Sequence, residues 1–334
     1  MDCLQLQGCD SGFGLLTTLK LQTLGYQVVA LCLTDKGVQE LQAKVSSRVV
    51  VLKLDVTKPE DVKTVAAEIE ERFPAGIYGL VNNAGVGLGG PVRLGFFSAL
   101  MAGGTDENSS CQVEWMSLDM FKFVMDVNFF GYVSMVKALA PLLRRGYGRV
   151  VNIASVAGFA PATSTAAYAA SKHAVEAFTD VLRMEMEPFG VAVTCIEPFF
   201  MKTNIIQGID THLTKLFDAL VRHSCGVLIG FNFFFFFFFG IQPQNLKSVW
   251  GEEYAKKLAG TNNFIKTLAG EPGEVVDNIV HAFESKWPRL RYTPAPIYIR
   301  IVRYAPYVYM DFISYVGGPP KPAMAYKWLK APEL

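Results

Sequence analysis

The sequence predicts an α/β fold in which helices cover both faces of a parallel, doubly wound sheet. Three observations predict it. Short apolar runs alternate with longer segments of helical period over about the first 200 residues, turn residues separate the two, and a glycine-rich turn precedes the first helical segment. Strands that alternate with helices pair in parallel, and their right-handed crossovers place helices on both faces.

The predicted strands are apolar runs bounded by turn residues, which is typical of strands buried on both faces. They cover residues 28–33, 49–54, 79–81, 149–153 and 191–196, whereas residues 1–7 offer only a shortened first strand before the glycine-rich turn. The predicted helices keep the apolar period of 3.6 residues, and they cover residues 12–24, 59–73, 118–143 and 166–188. Because such a sheet binds its ligand outside the carboxyl ends of the strands, the functional residues should follow strands.

We predict one domain with two parts. Residues 1–200 form the core, and residues 201–334 form a substrate lid, the last core elements and a C-terminal tail. Two segments do not fit this organisation. Residues 92–111 interrupt a loop, and residues 226–242 contain seven consecutive phenylalanines at 233–239. Such a run fits no amphipathic period and would promote aggregation on an exposed surface.

Charge and cysteine content narrow the range of functions. The 31 basic and 30 acidic residues are interspersed and give a net charge of +1, so a nucleic-acid partner is not expected. The six cysteines form no C-x-x-C pair and have no histidine at ligand spacing, so we predict no metal site. No targeting segment is visible, and the apolar stretch 225–241 is shorter than the roughly 18 to 20 residues that span a bilayer.

Residues 8–14, GCDSGFG, form a glycine-rich turn before the first predicted helix. Glycines there let a pyrophosphate approach backbone N–H groups and the positive end of the helix dipole. The pattern alone is weak, because a glycine-rich turn without a ligand looks the same, and its spacing differs from G-x-G-x-x-G. With the alternating strands and helices, it favours a Rossmann-type dinucleotide site.

The end of the second predicted strand indicates which dinucleotide binds. An arginine there would pair with the 2′-phosphate of NADP, and an acid would bind the free ribose hydroxyl of NAD. Cys32 and Leu33 occupy these positions, so no cation compensates a phosphate. We therefore predict NAD, with Cys32 at the ribose.

Tyr168 and Lys172 lie four residues apart in a predicted helix, so their side chains share one face. A nearby cation favours the phenolate, which can then act as a general base near neutral pH. The Y-x-x-x-K spacing also occurs by chance. Three further motifs give it context: Ser155 follows the strand at 149–153, NNAG at 82–85 follows the strand at 79–81, and Asn128 lies in the helix at 118–143. A mid-helix asparagine can instead bond the carbonyl one turn earlier.

These motifs, in this order, resemble the short-chain dehydrogenase family over nearly the whole chain. GCDSGFG is similar to the group that contains retinol dehydrogenases, 17-beta-hydroxysteroid dehydrogenase type 2 and D-beta-hydroxybutyrate dehydrogenase. The resemblance implies that Ser155 orients the reacting hydroxyl, Tyr168 removes its proton, and Lys172 binds the nicotinamide ribose and lowers the pKa of Tyr168. It also implies that Asn128 holds a water that relays the proton.

The resemblance assigns the cofactor contacts as well. Asp55 and Val56 would meet the adenine, although Asp55 is equally typical of an acid before a helix. Pro198 and Thr203 would meet the nicotinamide. The complete predicted set for NAD is Gly8, Ser11, Gly12, Phe13, Gly14, Cys32, Asp55, Val56, Asn83, Ala84, Gly85, Tyr168, Lys172, Pro198 and Thr203.

The sequence departs from the family at several places. Gln7 replaces a threonine before Gly8, and Phe199 replaces a glycine whose backbone would approach the nicotinamide. Residues 92–111 and 226–242 are the larger departures. Codons for a phenylalanine run form a pyrimidine tract like one before a splice acceptor, which favours translated intron sequence. The alternative is a membrane-dipping part of the lid.

The predicted function is NAD-dependent oxidation of a hydrophobic alcohol, a steroid or a retinoid. A short hydroxy acid would need a cationic clamp that the sequence does not show. The alternatives are a 3-hydroxybutyrate-type dehydrogenase and a catalytically silent product with unspliced insertions. Peripheral membrane contact, a homodimer, and the endoplasmic reticulum rather than the mitochondrion are further predictions, and a membrane-spanning protein ranks last.

Overall fold

A computed structural model describes residues 3–87, 113, 116–162, 165–203 and 268–304. Within these residues, seven strands form one parallel sheet in the order β3-β2-β1-β4-β5-β6-β7. The strands are β1 Cys3–Gln7, β2 Gln27–Cys32, β3 Val49–Lys53, β4 Gly79–Asn82, β5 Arg149–Ile153, β6 Ala192–Ile196 and β7 Arg291–Tyr292. The predicted parallel sheet is confirmed.

Eight described α-helices connect or follow these strands. They are α1 Gly12–Thr23, α2 Asp35–Gln42, α3 Pro59–Arg72, α4 Leu118–Met125, α5 Gly131–Arg145, α6 Ala166–Met186, α7 Gly273–Glu284 and α8 Ile297–Val302. The helix predicted at 118–143 is interrupted by a π-helical turn, Asp126–Phe130, that joins α4 to α5. Such turns are frequent at functional sites.

Each face of the sheet has its own apolar core, as the doubly wound arrangement requires. On one face, Ile69 of α3, Leu139 of α5 and Leu182 of α6 pack on the strands. On the other, Leu21 of α1 and Ile279 of α7 belong to the core cluster. With both faces covered, ligands can approach the sheet only at its edges and strand ends, and the candidate site lies at the carboxyl ends.

The first strand forms in full although it carries two glutamines. Gln5 and Gln7 are completely buried, and β1 pairs with β2 on one side and β4 on the other. Gln7 Nε2 donates to Asn82 Oδ1. Asn82 donates in turn to Asn152, and Asn152 donates to Thr179, so a chain of side-chain hydrogen bonds crosses the sheet. Among the residues that the structure describes, the amide of Gln5 has no hydrogen-bond partner.

Several predictions lie outside the described residues. These are the two atypical segments, 92–111 and 226–242, and nearly all of the predicted lid and tail. The predicted boundary at residue 200, between the core and the lid with its tail, also stays a prediction. Of the predicted second part, 201–334, the structure describes residues 201–203 and 268–304. These supply β7, α7 and α8 to the body that contains the sheet.

Candidate active site

The glycine-rich turn packs closely against the loop after β4. Gly8 has a φ of +71°, and a Cβ there would lie 2.9 Å from the Ala84 Cα. A Cβ on Gly14 would lie 2.3 Å from the Gly8 carbonyl oxygen. Gly12 differs, because a Cβ there would meet only the Thr203 methyl group, at 3.9 Å. Gly8 and Gly14 therefore allow tight packing, whereas Gly12, between them, leaves its backbone uncovered.

The start of α1 is suited to an anion. Ser11 precedes the helix in an extended conformation, and its hydroxyl makes no capping hydrogen bond. No acidic residue lies in the first turn, so the positive end of the helix dipole is not compensated there. Phe13 packs against the core rather than across the turn. The backbone at Gly12, the Ser11 hydroxyl that makes no capping bond, and the helix dipole together fit a pyrophosphate.

Asn83 joins two of the predicted cofactor loops. Its Nδ2 donates to the Gln7 carbonyl oxygen at 3.0 Å and to that of Gly8 at 3.1 Å. Gly85, two residues later, lies beside the catalytic candidates, because a Cβ there would be 3.5 Å from Asn128 Oδ1 and 3.8 Å from Lys172 Nζ. The NNAG segment thus connects the glycine-rich turn to the catalytic helix.

Ser155, Tyr168 and Lys172 meet at the end of β5. The hydroxyl of Ser155 accepts from Ala157 N at 3.2 Å, donates to the Pro198 carbonyl at 3.4 Å, and hydrogen-bonds the Tyr168 phenol. Lys172 Nζ donates to the Ile153 carbonyl at 2.8 Å and lies 5.8 Å from the Tyr168 ring centroid. The structure therefore brings together all three side chains that the sequence singled out.

Burial shifts the pKa values of both Tyr168 and Lys172. It raises the pKa of Tyr168 above its usual value, and the hydrogen bond with Ser155 only partly opposes the change. Burial also lowers the pKa of Lys172 to about 8, against opposing effects of Cys195 and Glu176. The lowering of the Tyr168 pKa by Lys172 stays a prediction, because burial sets the direction of the Tyr168 shift here.

Asn128 lies in the π-helical turn and is completely buried. Its Oδ1 accepts from Val86 N at 2.8 Å, and its Nδ2 donates to Val86 O at 2.9 Å and to Ser171 Oγ at 3.0 Å. The side chain therefore does not bond the carbonyl one turn earlier. It links the loop after β4 to α6, one residue before Lys172, and the water relay stays a prediction.

The side chains of the three predicted adenosine contacts, Cys32, Val56 and Asp55, make contacts within the protein. Cys32 is 0% exposed inside the core, so its side chain is turned away from the surface, and its contact with the ribose stays a prediction. The exposed residue at this point is Leu33. Val56 is buried against Gly131. Asp55 accepts from Thr57 N at 3.0 Å and Thr57 Oγ1 at 2.6 Å, which supports its alternative role before α3.

The segment after β6 reaches the glycine-rich turn. Thr203 lies next to Gly12, and the Pro198 carbonyl accepts from Val156 N at 3.0 Å, beside Ser155. Phe199, the departure from the family pattern, packs with Val156 and Ile299 in a small apolar cluster toward α8. Pro198 thus lies beside Ser155 and Thr203 beside the glycine-rich turn, and their contacts with the nicotinamide stay a prediction.

Sequence reasoning missed a buried ion cluster behind α6. Arg303 lies 3.0 Å from a Glu176 oxygen and 2.6 Å from a Glu197 oxygen, and Arg291 pairs with both carboxylates. Burial raises the pKa of Glu176, and Glu197 adds to the effect while the arginines oppose it. The cluster fastens the segment after α7 to the catalytic helix. Residues so far apart in sequence give no local pattern by which to find them.

The sheet, the glycine-rich turn and the Ser155, Tyr168 and Lys172 set define an oxidoreductase of the Rossmann type. The chain belongs to the short chain dehydrogenase family, whose sequence profile matches residues 4–214. Among its relatives, retinol dehydrogenase 5 of Mus musculus is 35% identical over 293 residues, covering 86% of this chain and 79% of the relative. Retinol dehydrogenase 7 of Rattus norvegicus is 33% identical over 327 residues, covering 96% and 89%.

Solved structures show the same fold. A short-chain dehydrogenase from Streptomyces avermitilis superposes with a TM-score of 0.65 at 22% identity, covering 98% of this chain and 96% of that one. A 3-ketoacyl-(acyl-carrier-protein) reductase from Brucella melitensis, complexed with NADH, gives a TM-score of 0.54 at 21% identity, covering 64% and 81%. The predicted resemblance to the retinol dehydrogenase group of this family is confirmed.

Proposed function

We propose that the protein is an NAD-dependent dehydrogenase that oxidises a hydrophobic alcohol, with a retinoid or a steroid as the substrate class. The meeting of Ser155, Tyr168 and Lys172 at the end of β5, beside the glycine-rich turn, carries the proposal. The relatives named retinol dehydrogenases support the substrate class. Val156 and Phe159, just after Ser155, belong to an apolar cluster, which suits such a substrate.

Each side chain has one task in the proposed reaction. Ser155 donates to the substrate oxygen and holds it next to Tyr168. Tyr168 accepts the hydroxyl proton of the alcohol as general base. Lys172, fixed by the Ile153 carbonyl, binds the nicotinamide ribose, and Asn128 fixes the loop after β4 against α6. When bound, NAD supplies the hydride acceptor and a positive ring whose charge favours the phenolate.

Further properties follow from the resemblance to the relatives. We propose peripheral contact with the membrane of the endoplasmic reticulum and a homodimer. The run Leu118–Arg145 is long and apolar enough to cross a membrane by length and composition. Within it, Tyr132, Met135 and Leu139 are completely buried in the described body, so it is a core helix. It therefore gives no support to a spanning protein.

The test of the proposed function is Tyr168→Phe. The variant keeps the ring and loses only the proton acceptor, so turnover of retinol with NAD should fall by about 100-fold or more while the NADH dissociation constant stays within about threefold. Steady-state kinetics and NADH fluorescence titration measure the two quantities. Tyr147→Phe is the matched control, because Tyr147 is exposed and lies just before β5, at the opposite end of the strand. Undiminished turnover in Tyr168→Phe would overturn the mechanism.

A further inference from the structure

The carboxylate of Asp10 lies at the end of β2, although the residue belongs to the glycine-rich turn after β1. Its Oδ2 accepts from Leu33 N at 2.8 Å. Its Oδ1 accepts from Thr34 N at 3.0 Å and from Thr34 Oγ1 at 2.8 Å. The neighbouring Cys9 N also bonds the Leu31 carbonyl, at 2.9 Å. The turn after the first strand therefore delivers an acid to the position just beyond the second strand.

The surroundings hold this carboxylate in place. Thr34 caps α2 by accepting from Gly37 N at 2.9 Å, so the residue that binds Asp10 is itself fixed. A Cβ on Gly37 would lie 2.2 Å from Asp10 Oδ1, so a residue without a side chain occupies that position. A carboxylate can accept about four hydrogen bonds. Within the described chain Oδ1 accepts two and Oδ2 accepts one, which leaves Oδ2 able to accept another.

The charges nearby do not favour a phosphate. Lys53 is paired with Asp35 at 2.8 Å, and Lys36 with Glu40 at 3.5 Å. Asp35 itself lies in the first turn of α2, so a second carboxylate is close to this strand end. The Cys32 side chain is buried, so it cannot contact a ligand at the surface. The end of β2 itself carries neither an acid nor an arginine at Cys32 and Leu33. Asp10, from the glycine-rich turn, supplies the acid there.

We propose that Asp10 is the residue that selects NAD over NADP, an inference that rests on the proposed nicotinamide-dependent function. In this fold the adenosine ribose is read at the end of the second strand. A free 2′-hydroxyl can donate to Asp10 Oδ2. A 2′-phosphate brings negative charge against the same carboxylate, and like charges at close range disfavour binding strongly.

The experiment is a fluorescence titration that measures the dissociation constants of NADH and NADPH at fixed pH and ionic strength. Asp10→Asn removes the charge, preserves the size and keeps one carbonyl oxygen for Thr34. The ratio of the NADPH constant to the NADH constant should fall by about tenfold or more, chiefly because NADPH binds more tightly. Asp10→Ser, which removes the charge in a smaller side chain, should shift the ratio in the same direction.

The matched control is Asp119→Asn, which makes the same charge change at an exposed carboxylate of α4. It should leave the ratio within about twofold of the wild-type value. An unchanged ratio in both Asp10 variants, or an equal shift in Asp119→Asn, would overturn the role of Asp10. Failure of the wild-type protein to bind either nucleotide would overturn the proposed function itself.

Discussion

Lys172 is the buried cation of the candidate active site, and its charge depends on pH within the working range. Burial lowers its pKa from the ordinary value of a lysine to about 8. The ammonium is therefore present below about pH 8 and is lost as the pH rises through that value. A neutral amine donates weakly and no longer attracts an anionic dinucleotide. The proposed ribose contact should weaken over the same interval.

The first prediction is that NADH affinity falls as the pH rises through about 8, and that Lys172→Met removes this dependence. At pH 7 the variant should bind NADH about tenfold more weakly, because a charge-assisted contact is lost. Fluorescence titrations between pH 6.5 and 9.5, roughly spanning one to two pH units either side of the transition, measure both effects. Lys122→Met, at an exposed lysine of α4, should keep the wild-type profile. The same pH dependence in Lys172→Met would assign the titration to another group.

Strand β1 shows how an element can be fixed by its position rather than by its own sequence. It lies inside the sheet, between β2 and β4, and Gln5 faces the same buried side as Gln7. Within the described residues, Gln7 Nε2 has a partner across the sheet and Gln7 Oε1 has none, whereas neither polar atom of the Gln5 amide has one. An unpaired buried amide costs about 1 to 3 kcal/mol, whereas a paired one costs far less. The two glutamines should therefore respond in opposite ways to the same substitution.

The second prediction compares Gln5→Leu with Gln7→Leu. Leucine has a similar volume and no polar group, so Gln5→Leu should raise the free energy of unfolding by about 1 to 2 kcal/mol. Gln7→Leu should lower it by about 1 to 3 kcal/mol, because Asn82 Oδ1 loses its donor in the buried ladder. Urea unfolding followed by circular dichroism measures both values. Destabilisation of equal size in the two variants would mean that the Gln5 amide is satisfied after all.

At the level of elements, the sequence predicts what depends on local pattern. Strands such as Arg149–Ile153 and the helix Ala166–Met186 agree with their apolar runs and period. The π-helical turn at Asn128 follows from no local pattern, and the Asn128 side chain bonds Val86 and Ser171, which lie 42 and 43 residues away in sequence. The acid at the end of β2 escaped notice for the same reason. Local sequence identifies candidate residues, and tertiary contacts decide which of them share a site.

At the level of the whole molecule, every strand and helix of the described body comes from residues outside 92–111 and 226–242. Ser155, Tyr168 and Lys172 likewise meet through contacts among described residues. Seven adjacent phenylalanines would be spread around a helix or placed on both faces of a strand, so only a site buried on all sides could absorb them.

The last prediction is that the protein folds and binds NADH without these segments. Deleting 92–111 and 226–242 together should increase the soluble yield roughly several-fold, because an aggregation-prone run is lost. The deletion should also preserve or raise NAD-dependent turnover. Soluble expression, circular dichroism and NADH titration are the measurements. Replacing residues 233–239 by alternating serine and glycine in the full chain is the matched control, since it removes only the phenylalanine side chains. It should recover most of the gain in solubility. If the deletion unfolds the protein, or if the replacement abolishes retinol turnover while NADH binding persists, then 226–242 is a working part of the substrate site and the intron hypothesis is wrong.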